Sequence, residues 1–350
     1  MPVPTLPSGS ALLSLDPFGG ESYNSNPLHP SNIFDVDGLV VVITGGGTGI
    51  GLMMAEALES NGATVYIVGR RMDILKRAAK EHSKCDKIIP IQGDVTDRES
   101  LLEIVDVVKA RHGYIDMLVN NAGIARNLYS HPLPSPSSSA DSSNPPTPPG
   151  SPGPGRQSTP SIKAFQSALW ETGSVDEFAE TFATNVTAVY YTTVAFLDLL
   201  HQGNVRRQRL ELTPLPDAFP RPPYHTSQVL SVSSSGAFRV DPKVLSPSYT
   251  LSKAACTHLG KLLANLLAPW GIRSNVLAPG VWPTEMTTSP TPNFKLDPEI
   301  LASTVPLRRV GTHEDMAGTI LFMASRAGAY VNGAVWLVDG GRVGTVASCY

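Results

Sequence analysis

The chain has 350 residues, of which 41% are hydrophobic and 16% charged, with a formal net charge of -3. That is enough apolar material for one large core or two modest ones, and the net charge with the absence of a long Lys/Arg run argues against the counterion-displacing surface that nucleic-acid binding requires. Cys85, Cys256 and Cys349 are scattered and odd in number, which indicates neither a disulfide framework nor a zinc site.

Residues 1–36 are rich in Pro, Ser, Gly and Asn without apolar periodicity, and predict a flexible N-terminal extension. The first Lys or Arg is Arg70, so the basic start of a secretory or mitochondrial leader is missing. No run reaches the roughly 18–20 apolar residues of a membrane-spanning helix. The expectation is a cytoplasmic chain with neither membrane nor nucleic acid as partner.

The run LVVVITG, from Leu39, predicts a first strand, and residues 50–62 an amphipathic helix stopped by Asn61-Gly62. Where the two join stand Thr44, Gly45, Gly46, Gly47, Thr48, Gly49, Ile50 and Gly51. Glycines in that context let the backbone turn tightly and approach a pyrophosphate, whose charge is stabilised by free N–H groups at the positive end of a helix. A Gly-Lys-Ser/Thr ending is missing, which argues against a nucleoside triphosphate.

A second strand, TVYIVG, ends at Gly69 and is followed by Arg70 and Arg71. An NAD enzyme usually offers an Asp or Glu here to the ribose hydroxyls, whereas a guanidinium grips a 2′-phosphate. NADP(H) is therefore favoured over NAD(H); the plainer alternative is that the two arginines open a solvated helix.

Residues 87–95 and 115–123 predict two further strands, with a helix over 99–113 between them. Ser130 to Pro160 is dominated by Pro and Ser, and predicts a low-complexity surface insertion, passive because it has almost no apolar anchor with which to close over a site. Residues 175–200 predict one long helix, and about 202–226 a long loop whose basic cluster NVRRQRLE is solvated. Strands over 228–234, 272–280 and 333–341, and a helix over 248–268, complete the pattern. Strand and helix in alternation, with strands apolar on both faces, predict an α/β fold: a Rossmann-type doubly wound parallel sheet in one catalytic domain, 37–350, interrupted by the two irregular segments.

Within PSYTLSKAA, Tyr249 and Lys253 lie four apart and share a helix face. Spacing alone fits an ordinary surface pair as well as a proton donor beside a cation. Taken with the other motifs, however, the chain resembles the short-chain dehydrogenase/reductase family in its compact single-domain branch. Thr44–Gly51 matches TGxxxGxG, Gly93-Asp94-Val95 its adenine-contacting turn, Asn120-Asn121-Ala122-Gly123 its NNAG, and Tyr249 with Lys253 its YxxxK. Asn185 lies in the expected long helix, and Pro279-Gly280 with Thr284 resembles the loop folded over the nicotinamide.

The resemblance implies hydride transfer between NADP(H) and a ketone or secondary alcohol, in the manner of secondary-metabolite or 3-oxoacyl reduction, by a homodimer or homotetramer without a metal. Tyr249 is then the proton donor, Lys253 the ammonium that holds the nicotinamide ribose and favours the phenolate, and Asn185 the holder of a water that relays protons. Ser234 is the hydroxyl that orients the carbonyl, with Ser233 and Ser235 as alternatives, since the interval to Tyr249 is slightly longer than the family's. Gly45, Gly47, Thr48, Gly49, Ile50 and Gly51 form the cofactor cradle, joined by Arg70, Arg71, Asp94, Val95, Asn121, Ala122, Gly123, Pro279, Gly280 and Thr284. Two other readings are a catalytically silent NADP-binding regulator and a sugar-nucleotide epimerase or dehydratase; the latter's TGxxGxxG does not fit the spacing of Gly49 and Gly51. Trp282, Met286 and Phe294 suggest an apolar or aromatic ketone but fit equally well as core residues, and no charge cluster there dictates a charged ligand.

Overall fold

The computed structural model describes residues 26–129, 133–135, 161–212, 225–241, 246–284 and 298–350. Residues 1–25 of the expected extension, and all of the 130–160 insertion except 133–135, lie outside the described residues.

Strand β1 (Val40–Thr44) leads through the glycine loop into α2 (Gly49–Glu59), preceded by a single helical turn, α1 (Pro30–Ile33). The pattern then repeats through β2 (Thr64–Gly69), α3 (Met72–His82), β3 (Ile88–Gln92), α4 (Arg98–Arg111) and β4 (Met117–Asn120). After α5 (Ile162–Trp170) and α6 (Val175–Phe182), α7 (Ala188–Ala195) and α8 (Leu197–Leu212) lead to β5 (Gln228–Val232), α9 (Pro247–Leu267), β6 (Arg273–Pro279), α10 (Pro298–Ser303), α11 (His313–Ala324) and β7 (Val335–Val338). The seven strands are all parallel, in the order β3-β2-β1-β4-β5-β6-β7. Chain order reverses between β1 and β4, and in such sheets the ligand crevice opens beyond the carboxyl ends at that point.

Strands β1, β2, β4, β5 and β6 are buried on both faces along most of their length, which is why they read as apolar runs, while the edge strands β3 and β7 are partly open. Val41, Ile43, Val65 and Ile67 pack with Met54 and Leu58 of α2 on one side. Val40, Val42, Tyr66 and Val68 pack with Ile104 and Val108 of α4 on the other.

Three expectations are corrected. Packed structure begins before residue 37: Val36 is 1% exposed and joins the α2-side core. The single helix over 175–200 is instead α6, a π-helical turn at Ala183–Thr187, α7 and α8, because one extra residue per turn in the middle resets the helical phase. Residues 202–212, expected to open a solvated loop, are the larger, C-terminal part of α8, where Arg207 Nε donates to Asp116 Oδ1 at 2.7 Å.

Glu59, fully buried at the end of α2, ties that helix to the turn before β3. Its carboxylate accepts from Ser83 Oγ and from the N–H groups of Lys84, Cys85 and Lys87. Burial pushes its carboxyl up, but these four donors outweigh it and leave the group below its ordinary value. A depressed folded value means stability that is present above about pH 4.5, the unfolded value, and is lost as pH falls through the folded one. Glu59→Gln is therefore expected to lower Tm at neutral pH and to shrink the Tm difference between neutral and acid pH; an unchanged difference in thermal melts across that range would show that Glu59 does not carry the linkage.

Candidate active site

The crevice beyond β1 and β4 is a cleft of about 570 Å³. Thr44 closes the end of β1, and its Oγ accepts from the N–H groups of Asn121 and Ala122 at 3.1 Å each. Asn121 Nδ2 returns bonds of 3.0 Å to the carbonyls of Thr44 and Gly45. NNAG thus fixes the glycine loop from the side.

The loop itself has no room for side chains. Gly45 lies at φ +64°, and a Cβ on Gly51 would stand 2.3 Å from Gly45 O. Thr48 makes no side-chain cap, so the first N–H groups of α2, unsatisfied within the helix, are left for an anion. Thr284 closes over Gly49, where a Cβ would meet its methyl at 3.2 Å. Backbone closeness, positive φ and an uncapped helix start together fit the pyrophosphate of a dinucleotide.

Gly47, Ile50, Arg70, Arg71, Asp94 and Val95 line the outer part of the same cleft. A Cβ at Gly69 would meet only Leu75, at an ordinary 3.5 Å, so an acid would fit there and none is present. Burial pushes the Asp94 carboxyl up, yet hydrogen bonds from Thr96 and the charge of Arg70 bring it below its ordinary value, so Arg70 and Asp94 share one field.

At the inner end, α9 begins at Ser246, which caps the helix by accepting from Tyr249 N at 3.2 Å and donates to Arg126 O at 2.6 Å. Tyr249 and Lys253 line the cleft one turn apart, the Lys253 ammonium 5.9 Å from the centre of the phenol ring and donating to Val232 O at 2.8 Å. Asn185, on the π-helical turn, is fully buried; it accepts from Ile124 N and donates to Ile124 O and Ser252 Oγ, each at 2.9 Å. Ser252 Oγ in turn donates to Tyr249 O at 2.8 Å. A Cβ at Gly123 would stand 3.1 Å from both Asn185 Oδ1 and Lys253 Nζ, so the glycine keeps a gap open between them.

The three serines differ in their partners. Ser233 Oγ is committed to Lys253 O and Thr257 Oγ, and Ser235 is buried. Ser234 is partly open to the cleft, its Oγ accepting from Gly236 N at 3.0 Å. Pro279 and Gly280 close the cleft beside them, with Gly280 pressed on Asp339.

Sequence reasoning missed Ser246 and Ser248, which bind the start of α9 to Arg126 and Asn127; the signal was the Ser-Pro-Ser ahead of Tyr249, a helix cap with proline at the first position. Trp282 does touch the cleft, but its ring lies beneath Gly311 and its Nε1 donates to Thr312 O, so it belongs to the core. Met286 and Phe294 lie outside the described residues. Among the described residues no helix is long and apolar enough to cross a membrane, and no three metal-ligating side chains cluster.

A parallel sheet with a glycine cradle at its switch point defines a dinucleotide-binding α/β protein, and a Tyr/Lys pair at the inner end of that cradle narrows the class. The chain belongs to the short-chain dehydrogenase/reductase family, oxidoreductases that bind a nicotinamide cofactor. The short chain dehydrogenase model matches residues 39–138, and the model described as Enoyl-(Acyl carrier protein) reductase matches residues 219–342. Short-chain dehydrogenase/reductase PhomF of Diaporthe leptostromiformis is 41% identical over 326 residues, 91% of this chain and 96% of that protein. Its counterpart VdtF of Byssochlamys spectabilis is 42% identical over 329 residues, 92% and 98% of the two chains. A short-chain type dehydrogenase/reductase from Mycobacterium marinum superposes with a TM-score of 0.65 at 27% identity, covering 89% of this chain and 98% of its own.

Proposed function

We propose that the protein is an NADP(H)-dependent oxidoreductase that interconverts a ketone and a secondary alcohol, with Tyr249 as the proton donor to the carbonyl oxygen. The observation that carries this reading is the presence of Ser234, Tyr249 and Lys253 on one cleft continuous with the glycine cradle. When bound, the nicotinamide supplies or accepts the hydride at the carbonyl carbon. As negative charge grows on the carbonyl oxygen, the phenol of Tyr249 gives up its proton, and the Lys253 ammonium stabilises the phenolate that remains.

Ser234 is assigned to orient the carbonyl, because its hydroxyl still has a proton to give while Ser233's is committed elsewhere. The gap over Gly123 supports the water-holding role expected of Asn185, which also fixes Ile124 and, through Ser252, the turn that carries Tyr249. Exposed Leu102, Val107, Tyr190, Tyr191 and Val194 on α4 and α7 support an assembly of like subunits.

The preference for NADP(H) rests on Arg70 at a position with no acid from Gly69. Charge-assisted hydrogen bonds to a 2′-phosphate contribute about 1.5–3 kcal/mol each. Arg70→Ala is therefore expected to raise KM for NADPH roughly ten- to hundredfold while leaving NADH nearly unchanged. Equal changes for the two cofactors in steady-state kinetics would remove the assignment.

A further inference from the structure

The carboxyl ends of three neighbouring strands bring charge as well as hydroxyls to the inner cleft. Beyond β5 come Ser234 and then Arg239, whose N–H bonds Gly236 O at 3.2 Å. Beyond β6 comes Gly280, packed so closely on the segment after β7 that a Cβ there would stand 2.6 Å from the Cα of Asp339. Arg342 follows Asp339, its N–H bonding Asp339 O at 3.3 Å. Arg239 and Arg342 therefore line the same cleft as Ser234 and Tyr249.

The two guanidiniums differ in how they are matched. Arg239 forms a two-pronged pair with Asp241, at 2.7 and 2.8 Å. The carboxylate of Asp339 accepts from the N–H groups of Gly341 and Val343, at 2.9 and 2.7 Å. Arg342 Nε is buried with no hydrogen-bond partner among the described residues. A buried donor without a partner is costly, and an arriving acceptor relieves that cost once the partly exposed Arg342 side chain turns to present it. Burial, and then the nearby charge of Arg239, make the protonated form of Arg342 less favourable than usual, with Asp241 and Asp339 offsetting only part of it. An anion beside Arg342 would reverse that balance.

We propose that Arg342 is a substrate-binding residue that receives a carboxylate, so that the substrate is an oxo acid whose carbonyl reaches Ser234 and Tyr249 while its carboxylate meets the Arg342 guanidinium. The planar fork of arginine matches a carboxylate through paired N–H donors. Asp241 and Asp339 balance the two arginines in charge, but Asp241 is engaged with Arg239 and Asp339 with the N–H groups of Gly341 and Val343, so Arg342 Nε keeps no hydrogen bond, and a singly charged carboxylate suits the cluster better than a doubly charged phosphate. Such a substrate differs from the apolar or aromatic ketone suggested by Trp282, Met286 and Phe294. It rests on the carbonyl-reductase reading and deepens it.

The test compares acetoacetate, levulinate and benzoylformate with their methyl esters, in the wild-type protein and in R342M and R342K. Wild-type kcat/KM is expected to favour the acids, and R342M to lower the acid-to-ester ratio by about 30-fold or more, with R342K falling between. Calorimetric binding of levulinate, with methyl levulinate as control, is measured in parallel and is expected to be lost in R342M while the melting temperature and NADPH affinity are retained. Esters reduced better than acids by the wild type, or a ratio unchanged in R342M, would overturn the carboxylate site and leave the reductase reading standing. Failure to reduce any of the six carbonyls would count against the reductase reading, and the carboxylate site would then be decided by levulinate binding alone: loss in R342M supports it, and no binding or equal binding overturns it. A fall in NADPH affinity in R342M with levulinate binding intact would assign Arg342 to the cofactor and likewise overturn the proposal.

Discussion

Tyr249→Phe is expected to lower kcat for carbonyl reduction by about 10²–10⁴-fold, the usual contribution of a positioned general acid. The ring still packs beside Gly236, where a Cβ would lie 3.7 Å from it, and the Lys253 bond to Val232 O does not involve the phenol oxygen. NADPH affinity should therefore stay within about twofold, so that the loss falls on turnover rather than on binding. The check is a pair of measurements, steady-state turnover and cofactor titration. A mutant that kept more than a tenth of wild-type turnover would move the proton donor to another group, and a parallel loss of cofactor affinity would mean that the cleft had changed shape.

Asp116→Ala is expected to cost about 3 kcal/mol of folding stability, since it leaves the buried Val40 N–H without its acceptor and the part-buried Arg207 guanidinium without its carboxylate. Asp116 is 5% exposed at the start of β4; its Oδ1 receives Arg207 Nε at 2.7 Å and its Oδ2 receives Val40 N at 2.8 Å. The substitution thus strips a partner from β1 and strands the α8 guanidinium at the same time. Asp116→Ala combined with Arg207→Met should recover part of the loss, because the unpaired charge is gone. Denaturant unfolding is the readout; a loss below 1 kcal/mol for the single variant would show that the pair is solvated after all.

That pair also shows where the sequence stopped being legible. NVRRQRLE has the composition of a solvated segment, and nothing within it announces that Arg207 meets an acid 91 positions earlier. The strands were readable because burial on both faces writes itself as a local run of β-branched residues. The glycine cradle was readable because each glycine answers a local steric demand, as Gly51 does against Gly45 O. The π-helical turn at Asn185 was not, since its one extra residue changes phase without changing composition. Ser233, Ser234 and Ser235 are chemically identical in sequence and separate only by what each hydroxyl touches. Helix α11 carried a readable signal, Thr312 three residues before Asp315, which forms a capping box. Arg342 follows two glycines after β7 with no pattern around it, and only the meeting of three strand ends shows that it enters the cleft.

The most direct test of the central claim uses reduced nicotinamide cofactor deuterated at its transferable position. The wild-type protein is incubated with that cofactor and a carbonyl panel that includes the oxo acids and esters above, and the alcohols are analysed by mass spectrometry and NMR. Hydride transfer by this site predicts one deuterium at the carbinol carbon of at least one product, dependent on Tyr249 and faster with the phosphorylated cofactor. Tight cofactor binding with no deuterium in any alcohol across the panel would contradict the account and favour a protein that binds the dinucleotide without turning it over.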